Sequence, residues 1–179
     1  LHNGVDPITG KRIGLQTGPV ESFGSYEQLF EAFRRQLQYF LDIKITGNRI
    51  IERSYADRMP APFLSVLIDD CIAKGLDYNA GGARYNNTFI QFVGLGSIAD
   101  CLSSLKELVF DSRQVKMSAL VSALDRDFAS DEPLRQRLLN RTRKYGNDDD
   151  YADDLMVDVF NACFDSVDGR PDARGGRYR

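Results

Sequence analysis

Three cysteines and one histidine are the residues of this chain best suited to nucleophilic or metal chemistry. Cys71, Cys101 and Cys163 stand far apart, lack a Cys-x-x-Cys spacing and lie in apolar or helical contexts. This pattern argues against a zinc site and a disulfide framework, and we expect buried free thiols. His2 lies at the extreme terminus, so the base that would activate a serine or cysteine nucleophile is effectively missing. Ordinary hydrolase chemistry is therefore not indicated.

Two acidic clusters are the candidates for cation binding or proton transfer. Asp69 and Asp70 are neighbours in a predicted helix, where their side chains point about 100° apart and cannot easily share a ligand. The acidic run that ends at Asp154 lacks the alternating oxygen ligands and the central glycine of an EF-hand loop. Helix capping and dipole complementarity explain that run better. We assign no metal ligand and no catalytic residue from these clusters.

A glycine-rich run from Gly81 to Asp111 resembles a nucleotide-binding loop. Residues 88–93 are predicted to form a buried strand. The helix predicted to follow begins with Gly94-Leu95-Gly96-Ser97-Ile98-Ala99, which matches the glycine spacing of a dinucleotide-binding fingerprint. That fingerprint needs a second strand before an acidic residue roughly 20 positions on, and Asp111 comes too early. We interpret the run as a turn with Ser97 as helix N-cap and Asp100 at N3, with no bound cofactor.

Helices must position most of these residues. The capping box Ser25-Tyr26-Glu27-Gln28 predicts a long helix to about Ile45, and Pro60 and Pro62 end any helix that continues from Ile50. Further helices are predicted over residues 63–74, with Gly75 as a left-handed stop, and over residues 115–128 and 133–140. The buried face of a last helix is predicted to comprise Leu155, Met156, Val159, Phe160, Cys163 and Phe164. The class is α/β and rich in helix.

The composition limits the classes of partner. The chain has 179 residues, 42% hydrophobic and 27% charged, with a formal net charge of -3, which is typical of a globular protein of one or two domains. Its basic residues are scattered apart from those between Arg135 and Lys144, so nucleic acid is not an expected partner. No stretch approaches the roughly 20 apolar residues of a membrane span, and the expected location is the cytoplasm. Asn3-Gly4 at one end and the polar stretch from Asp172 at the other predict an internal segment of a longer protein.

Several spaced blocks, in order, are similar to the glycyl radical enzyme family. They are Asn3-Gly4-Val5-Asp6-Pro7, Gly81-Gly82-Ala83-Arg84-Tyr85-Asn86, Gly94-Leu95-Gly96 and Lys144-Tyr145-Gly146-Asn147-Asp148. Ile51-Glu52-Arg53, the run from Met59 to Ser65 and the run from Tyr145 to Asp154 most resemble the trans-4-hydroxy-L-proline dehydratase branch. The competing branches are choline trimethylamine-lyase, glycerol dehydratase and pyruvate formate-lyase. The resemblance runs nearly end to end, although family catalytic subunits are several times longer.

The resemblance implies a ten-stranded α/β barrel around a cysteine loop and a glycine loop. It implies a glycyl radical installed by a radical S-adenosylmethionine activating enzyme, a thiyl radical that abstracts hydrogen from a small-molecule substrate, and a homodimeric parent. Residues 1–179 would be an internal segment of the barrel domain that lacks both radical loops. This segment alone would be inactive; the other class of function is a non-catalytic scaffold or interaction module.

No catalytic residue is carried over from the family. Asp70-Cys71-Ile72, Asp100-Cys101-Leu102 and Ala162-Cys163-Phe164 all differ from the Cys-Val-Glu-like loop of the family. The run from Arg174 to Tyr178 only resembles the Arg-Val-x-Gly-Tyr radical motif, because its order differs. Tyr145, an aromatic hydroxyl beside a Gly-Asn turn, is the one residue that we predict to line a substrate pocket.

Overall fold

A computed structural model describes residues 2–179, and the elements in this part of the chain are helical. They are α1 (Tyr26–Arg58), α2 (Pro62–Leu67), α3 (Cys71–Lys74), α4 (Leu95–Leu105) continued by a π-helical turn (Lys106–Asp111), α5 (Met117–Asp125), α6 (Glu132–Asn140) and α7 (Asp150–Val167). Short 3-10 turns lie at Val20–Ser22 and Tyr78–Ala80. β-Structure in residues 2–179 is limited to isolated bridges. The helix-rich character is thus confirmed.

The chain divides into two compact units. Unit 1 comprises the residues up to Tyr39 and Val93–Ala162, and unit 2 comprises Phe40–Phe92 and Cys163–Arg179. The core of unit 1 is a cluster of Val20, Leu29, Leu105, Met117 and Leu120. Among residues 2–179, no helix has both the length and the apolar character that crossing a bilayer requires.

The long helix α1 begins where the capping box predicts. The Gln28 amide nitrogen donates to Ser25 Oγ at 3.4 Å, and the Gly24 amide donates to Gln28 Oε1 at 2.8 Å. The predicted end near Ile45 is wrong, because α1 runs without a break to Arg58. A single glycine at position 47 costs about 1 kcal/mol in a helix, which the helix-forming residues on both sides outweigh. The helix ends just before Pro60, as expected.

The single helix predicted for residues 63–74 is two short helices, α2 and α3. Between them Ile68 is extended and Asp70 adopts a left-handed conformation with φ 76°. Arg84 holds this break open, because its guanidinium pairs with the Asp70 carboxylate and its amide donates to the Asp69 carbonyl at 3.2 Å. A contact 14 residues away therefore overrides the local helical pattern. Gly75 is the left-handed stop that was predicted, with φ 63°.

Residues 88–93 are extended but are not the buried strand that the sequence predicts. Thr88 and Ile90 form parallel hydrogen bonds of 2.9 to 3.0 Å with Arg177 and Arg179, which is one strand pair without a sheet. Phe89 is 74% exposed. The reason is physical: within residues 2–179 only one edge of this segment has a strand neighbour, and nothing covers the side chains of Phe89 and Val93, whereas Ile90 and Phe92 are half-buried.

Three further expectations about caps and burial are wrong. Helix α4 begins at Leu95 with Gly94 as its N-cap, at φ 88°, so Ser97 lies inside the first turn and caps nothing. Cys101 is exposed because the buried stripe of α4 follows its neighbours Ala99 and Leu102, whereas the other two cysteines are buried free thiols. Phe160 and Phe164 are about half exposed, since the buried stripe of α7 passes through residues 152, 155, 159 and 162–163.

Candidate functional site

The turn that carries Tyr145 is fixed in unit 1 through its backbone. The Tyr145 amide donates to Asp100 Oδ1 at 2.8 Å, which is what the Asp100 side chain does in place of capping α4. The ring edge lies 3.5 Å from the position that a Cβ on Gly96 would take. Tyr145 is 46% exposed. Tyr145 thus lies on a turn whose backbone is fixed by a hydrogen bond, and nearly half of its side chain is exposed to solvent.

Lys144 fastens the same turn to helix α4. Its ammonium donates to Thr142 Oγ1 at 2.6 Å, to Ser104 Oγ at 2.7 Å and to the Leu138 carbonyl at 2.8 Å. Burial lowers the pKa of Lys144, while the Asp100 carboxylate opposes that shift. Ser103 Oγ also donates to the Arg143 carbonyl at 2.8 Å. Because all three N–H groups of the ammonium donate hydrogen bonds, Lys144 stabilises the turn and is not free to act as a base.

The acidic run before α7 works as a cap and as a set of ion pairs. Asp149 Oδ1 accepts the Tyr151 amide at 3.0 Å, and its other oxygen lies 3.8 Å from Arg143. Lys106 lies 4.5 Å from the centre of the Tyr151 ring, whose hydroxyl donates to Asp111 at 2.8 Å. Burial and the Asp111 carboxylate raise the pKa of Tyr151. Asp149 thus caps the start of α7 as predicted, whereas the buried Asp153 Oδ1 has no hydrogen-bond partner among residues 2–179. In the same residues no group of three or more acidic, histidine or cysteine side chains is arranged to hold a metal ion.

Unit 2 contains a polar network that the sequence analysis missed. Thr88 Oγ1 lies 2.5 Å from Glu52 Oε1 and 3.1 Å from Asp172 Oδ2, and Arg174 Nη2 donates to it at 3.2 Å. Glu52 also accepts the Ala173 amide at 2.9 Å. The bonded partners are 36 to 121 positions apart, so no local spacing or motif signals that they meet. The network joins helix α1, the extended segment at Thr88 and the loop at Asp172.

The two glycine motifs of unit 2 pack backbone against backbone. A Cβ on Gly176 would stand 1.5 Å from the Asn86 carbonyl oxygen, and one on Gly81 would stand 2.2 Å from the Arg174 carbonyl oxygen. The Asn86 side chain donates to that same Arg174 oxygen. The run from Arg174 to Tyr178, which resembles a radical motif, is therefore the packing partner of the loop at Gly81. Close approach explains why glycine is required at both positions.

The loop fixed in this way presents aromatic side chains outward. Before Tyr85 the Arg84 amide donates to the Asp69 carbonyl at 3.2 Å, and after it the Asn86 side chain donates to the Arg174 carbonyl, so the loop is anchored on both sides of Tyr85. Tyr85 is nonetheless 87% exposed. A rigid loop with exposed aromatic residues is suited to contact a ligand or another part of a protein.

Comparisons with known proteins agree over the full length of the chain. The family model described as pyruvate formate lyase-like matches residues 1–179. A trans-4-hydroxy-L-proline dehydratase of Clostridioides difficile is 52% identical over 179 residues, which are 100% of this chain and 23% of that protein. A (2S)-3-sulfopropanediol dehydratase of Klebsiella oxytoca is 33% identical over 180 residues, covering 99% of this chain and 22% of that protein.

Solved structures of dehydratases are also similar to this chain over its full length or nearly so. The crystal structure of hydroxyproline dehydratase from Clostridioides difficile with bound trans-4-hydroxy-L-proline superposes with a TM-score of 0.97 at 52% identity, over 100% of this chain and 23% of that chain. The glycerol-bound B12-independent glycerol dehydratase from Clostridium butyricum superposes with a TM-score of 0.93 at 34% identity, over 99% of this chain and 22% of that chain. The chain thus spans less than a quarter of the length of these relatives.

Proposed function

Because the chain belongs to the pyruvate formate lyase-like family, we propose that it is an internal segment of a glycyl radical enzyme that eliminates water from trans-4-hydroxy-L-proline. The observation that carries this proposal is the 52% identity to the dehydratase of Clostridioides difficile across all 179 residues. The dehydratases of other substrates are 33% and 34% identical, which favours hydroxyproline over those substrates. A TM-score of 0.97 to the substrate-bound enzyme supports the same choice.

The segment would supply scaffold, and the rest of the protein would supply the radical. None of its cysteines or glycines stands in a radical motif of the family, so the thiyl and glycyl radicals would form on residues outside it. The thiyl radical would take a hydrogen atom from the substrate, water would leave, and the hydrogen atom would be returned. The full-length protein would be a cytoplasmic homodimer that needs a radical S-adenosylmethionine activating enzyme.

Residues 88–93 would form one strand of the ten-stranded barrel. Their parallel hydrogen bonds to Arg177 and Arg179 and the exposed side chains of Phe89 and Val93 support this role, because parallel strands in α/β proteins are normally covered on both faces. The remaining strands and the covering layer would come from the larger part of the protein.

The test of this function uses the full-length protein that contains the segment. The protein is activated under anaerobic conditions and incubated separately with hydroxyproline, choline, glycerol and pyruvate, and the products are identified by mass spectrometry. We expect turnover of hydroxyproline to a product lighter by one water. Formate from pyruvate, or turnover only of choline or glycerol, would assign the protein to another branch. Failure to form a glycyl radical signal by electron paramagnetic resonance would favour the non-catalytic scaffold.

Tyr145 would line the substrate pocket of the full-length protein, as its fixed turn and open ring allow. Tyr145→Ala is expected to raise KM for hydroxyproline about tenfold, the loss of about 1.4 kcal/mol of binding, while the yield of glycyl radical stays unchanged. Tyr145→Phe separates the hydroxyl from the ring. The proposal fails if KM is unchanged in the alanine variant, because a ring that only packs on Gly96 would affect stability instead.

A further inference from the structure

An acidic groove lies in unit 1 between helices α1 and α7. We define it by Tyr26, Glu27, Glu31, Asp154 and Asp158. They line a space of about 590 Å³ together with the cations Arg34 and Lys106 and the apolar or aromatic side chains of Phe30, Tyr151 and Leu155. None of these residues belongs to the turn at Tyr145 or to the network of unit 2. The proposed dehydratase function does not involve the residues of this groove.

Helices α1 and α7 each place two acidic side chains on the face that lines the acidic groove. Glu27 and Glu31 lie four residues apart on α1, and Asp154 and Asp158 lie four residues apart on α7, so each helix has two like charges on one face. Like charges at this spacing destabilise a helix unless a cation or the helix dipole compensates them. On α1 both compensations are present, because Glu27 lies in the first turn and Arg34 lies 3.6 Å from Glu31. Asp154 and Asp158 on α7 are therefore the charges of this groove that an added positive group would stabilise most.

The cations already present compensate only part of this charge. Arg34 lies 3.6 Å from Glu31, and Lys106 is engaged by Asp111 at 2.9 Å and by the Tyr151 ring. Neither Asp154 nor Asp158 has an ion pair among residues 2–179. The pair on α7 therefore remains available to a cation from outside.

Tyr26 adds a second, independent sign of a missing ligand. It is only 7% exposed, and its buried hydroxyl has no hydrogen-bond partner among the residues that the structure describes. Buried polar atoms of this kind are rare in native proteins and call for an explanation. Burial, with the nearby Asp158 and Glu27 carboxylates, raises the pKa of Tyr26, so the phenol stays protonated beside these acids.

The lining favours an organic cation over a metal ion. Within the part of the chain that the structure covers, no group of three or more metal-ligating side chains is arranged to hold a metal. The Tyr26 ring stacks on Phe30 with centroids 5.9 Å apart, and Lys106 lies 5.8 Å from the Tyr26 ring and 4.5 Å from Tyr151. Aromatic faces beside carboxylates suit a guanidinium, which is planar, stacks on rings and donates several hydrogen bonds.

We propose that the acidic groove is a docking site for an arginine-bearing segment of a partner protein. The guanidinium would stack near Phe30 and Tyr26, donate to Asp154 and Asp158, and bring a hydrogen-bond partner to the Tyr26 hydroxyl. Charge complementarity identifies the occupant, because an arginine cancels the like-charge pair on α7, which has no ion pair among residues 2–179.

The test measures binding of a fluorescent peptide with two arginines spaced by three alanines to the full-length protein. Its twin carries citrulline, which has the same shape without the charge. We expect the arginine peptide to bind at least tenfold more tightly than the twin, and Asp154→Asn with Asp158→Asn to remove that difference. Tyr26→Phe should weaken binding about threefold. Thermal unfolding of each variant checks that the fold is retained.

Asp57→Asn with Asp165→Asn is the matched control, because both residues are exposed, lie outside the groove and change the net charge equally. This variant should bind the arginine peptide within twofold of the unchanged protein. Equal binding of both peptides, no binding of either, or an equal loss in the control variant would overturn the proposal. Tighter binding of free spermine than of the peptide would also overturn it, since the groove would then take a small polyamine.

Discussion

Replacement of Gly176 by alanine is expected to abolish hydroxyproline turnover by the full-length protein and to open the local structure of unit 2. The new Cβ would stand 1.5 Å from the Asn86 carbonyl oxygen, 2.6 Å from its carbon and 2.8 Å from Asp172 Oδ2. Two of these contacts are with backbone, which cannot move aside as a flexible side chain can. We expect a loss of local stability of about 3 kcal/mol or more.

The measurement for Gly176→Ala is hydrogen exchange at the amides that join the two segments. The Thr88 amide bonds to the Arg177 carbonyl at 3.0 Å, and the Arg179 amide bonds to the Thr88 carbonyl at 2.9 Å. A loss of about 3 kcal/mol should speed their exchange more than a hundredfold, if the amides exchange through local opening.

Two other glycines provide matched controls for the Gly176 prediction. Gly175 has φ 84° but nothing within 4 Å of its Cβ position, so Gly175→Ala should cost only the backbone strain of about 1 to 2 kcal/mol. Gly47 lies in open space within α1, so Gly47→Ala should stabilise the helix by about 0.5 to 1 kcal/mol. Equal effects of alanine at positions 175 and 176 would contradict the close backbone packing.

The helix ends that the sequence predicts well are those set by neighbours in the chain. The Ser25 to Gln28 capping box, Pro60 and the left-handed Gly75 each act within one turn of the helix. The break at Asp70 could not be predicted in this way, because Arg84 holds it from 14 residues away. The exposure of Phe89 could not be predicted either, since a buried strand and an uncovered one have the same apolar pattern.

The candidate site shows the same division between local and distant causes. Gly94 forms the predicted turn, but Gly96 and Ser97 already lie inside α4, so the cap at Ser97 was wrong. Asp100 binds the Tyr145 amide, 45 residues away, and nothing in the local sequence indicates that partner. Glu52, Thr88 and Asp172 come from three distant parts of unit 2, so no motif connects them. The blocks at Gly81 and Lys144 that resemble the family gave no indication of these partners.

Asp172→Ala is expected to release the loop that packs on the Gly81 motif, whereas Asp172→Asn should largely retain it. Asp172 is only 6% exposed, and its Oδ1 accepts the amides of Arg174 at 2.9 Å and Gly176 at 2.8 Å. Alanine would leave both amides without an acceptor, at a cost of about 1 to 3 kcal/mol each. Asparagine keeps an oxygen for both amides and can donate to Thr88 Oγ1, so we expect a cost below about 1 kcal/mol.

The distinguishing result for Asp172 is the contrast between the two variants in the full-length protein. Hydrogen exchange at Arg174 and Gly176 should accelerate at least tenfold in Asp172→Ala, and hydroxyproline turnover should fall with it. Asp168→Ala is the control, because Asp168 forms a surface ion pair with Arg179 at 2.6 Å, and such pairs contribute about 0 to 1 kcal/mol. If Asp172→Asn were as damaging as Asp172→Ala, the negative charge itself would be required, and the loop would depend on the Arg174 guanidinium beside Thr88 more than on its two amides.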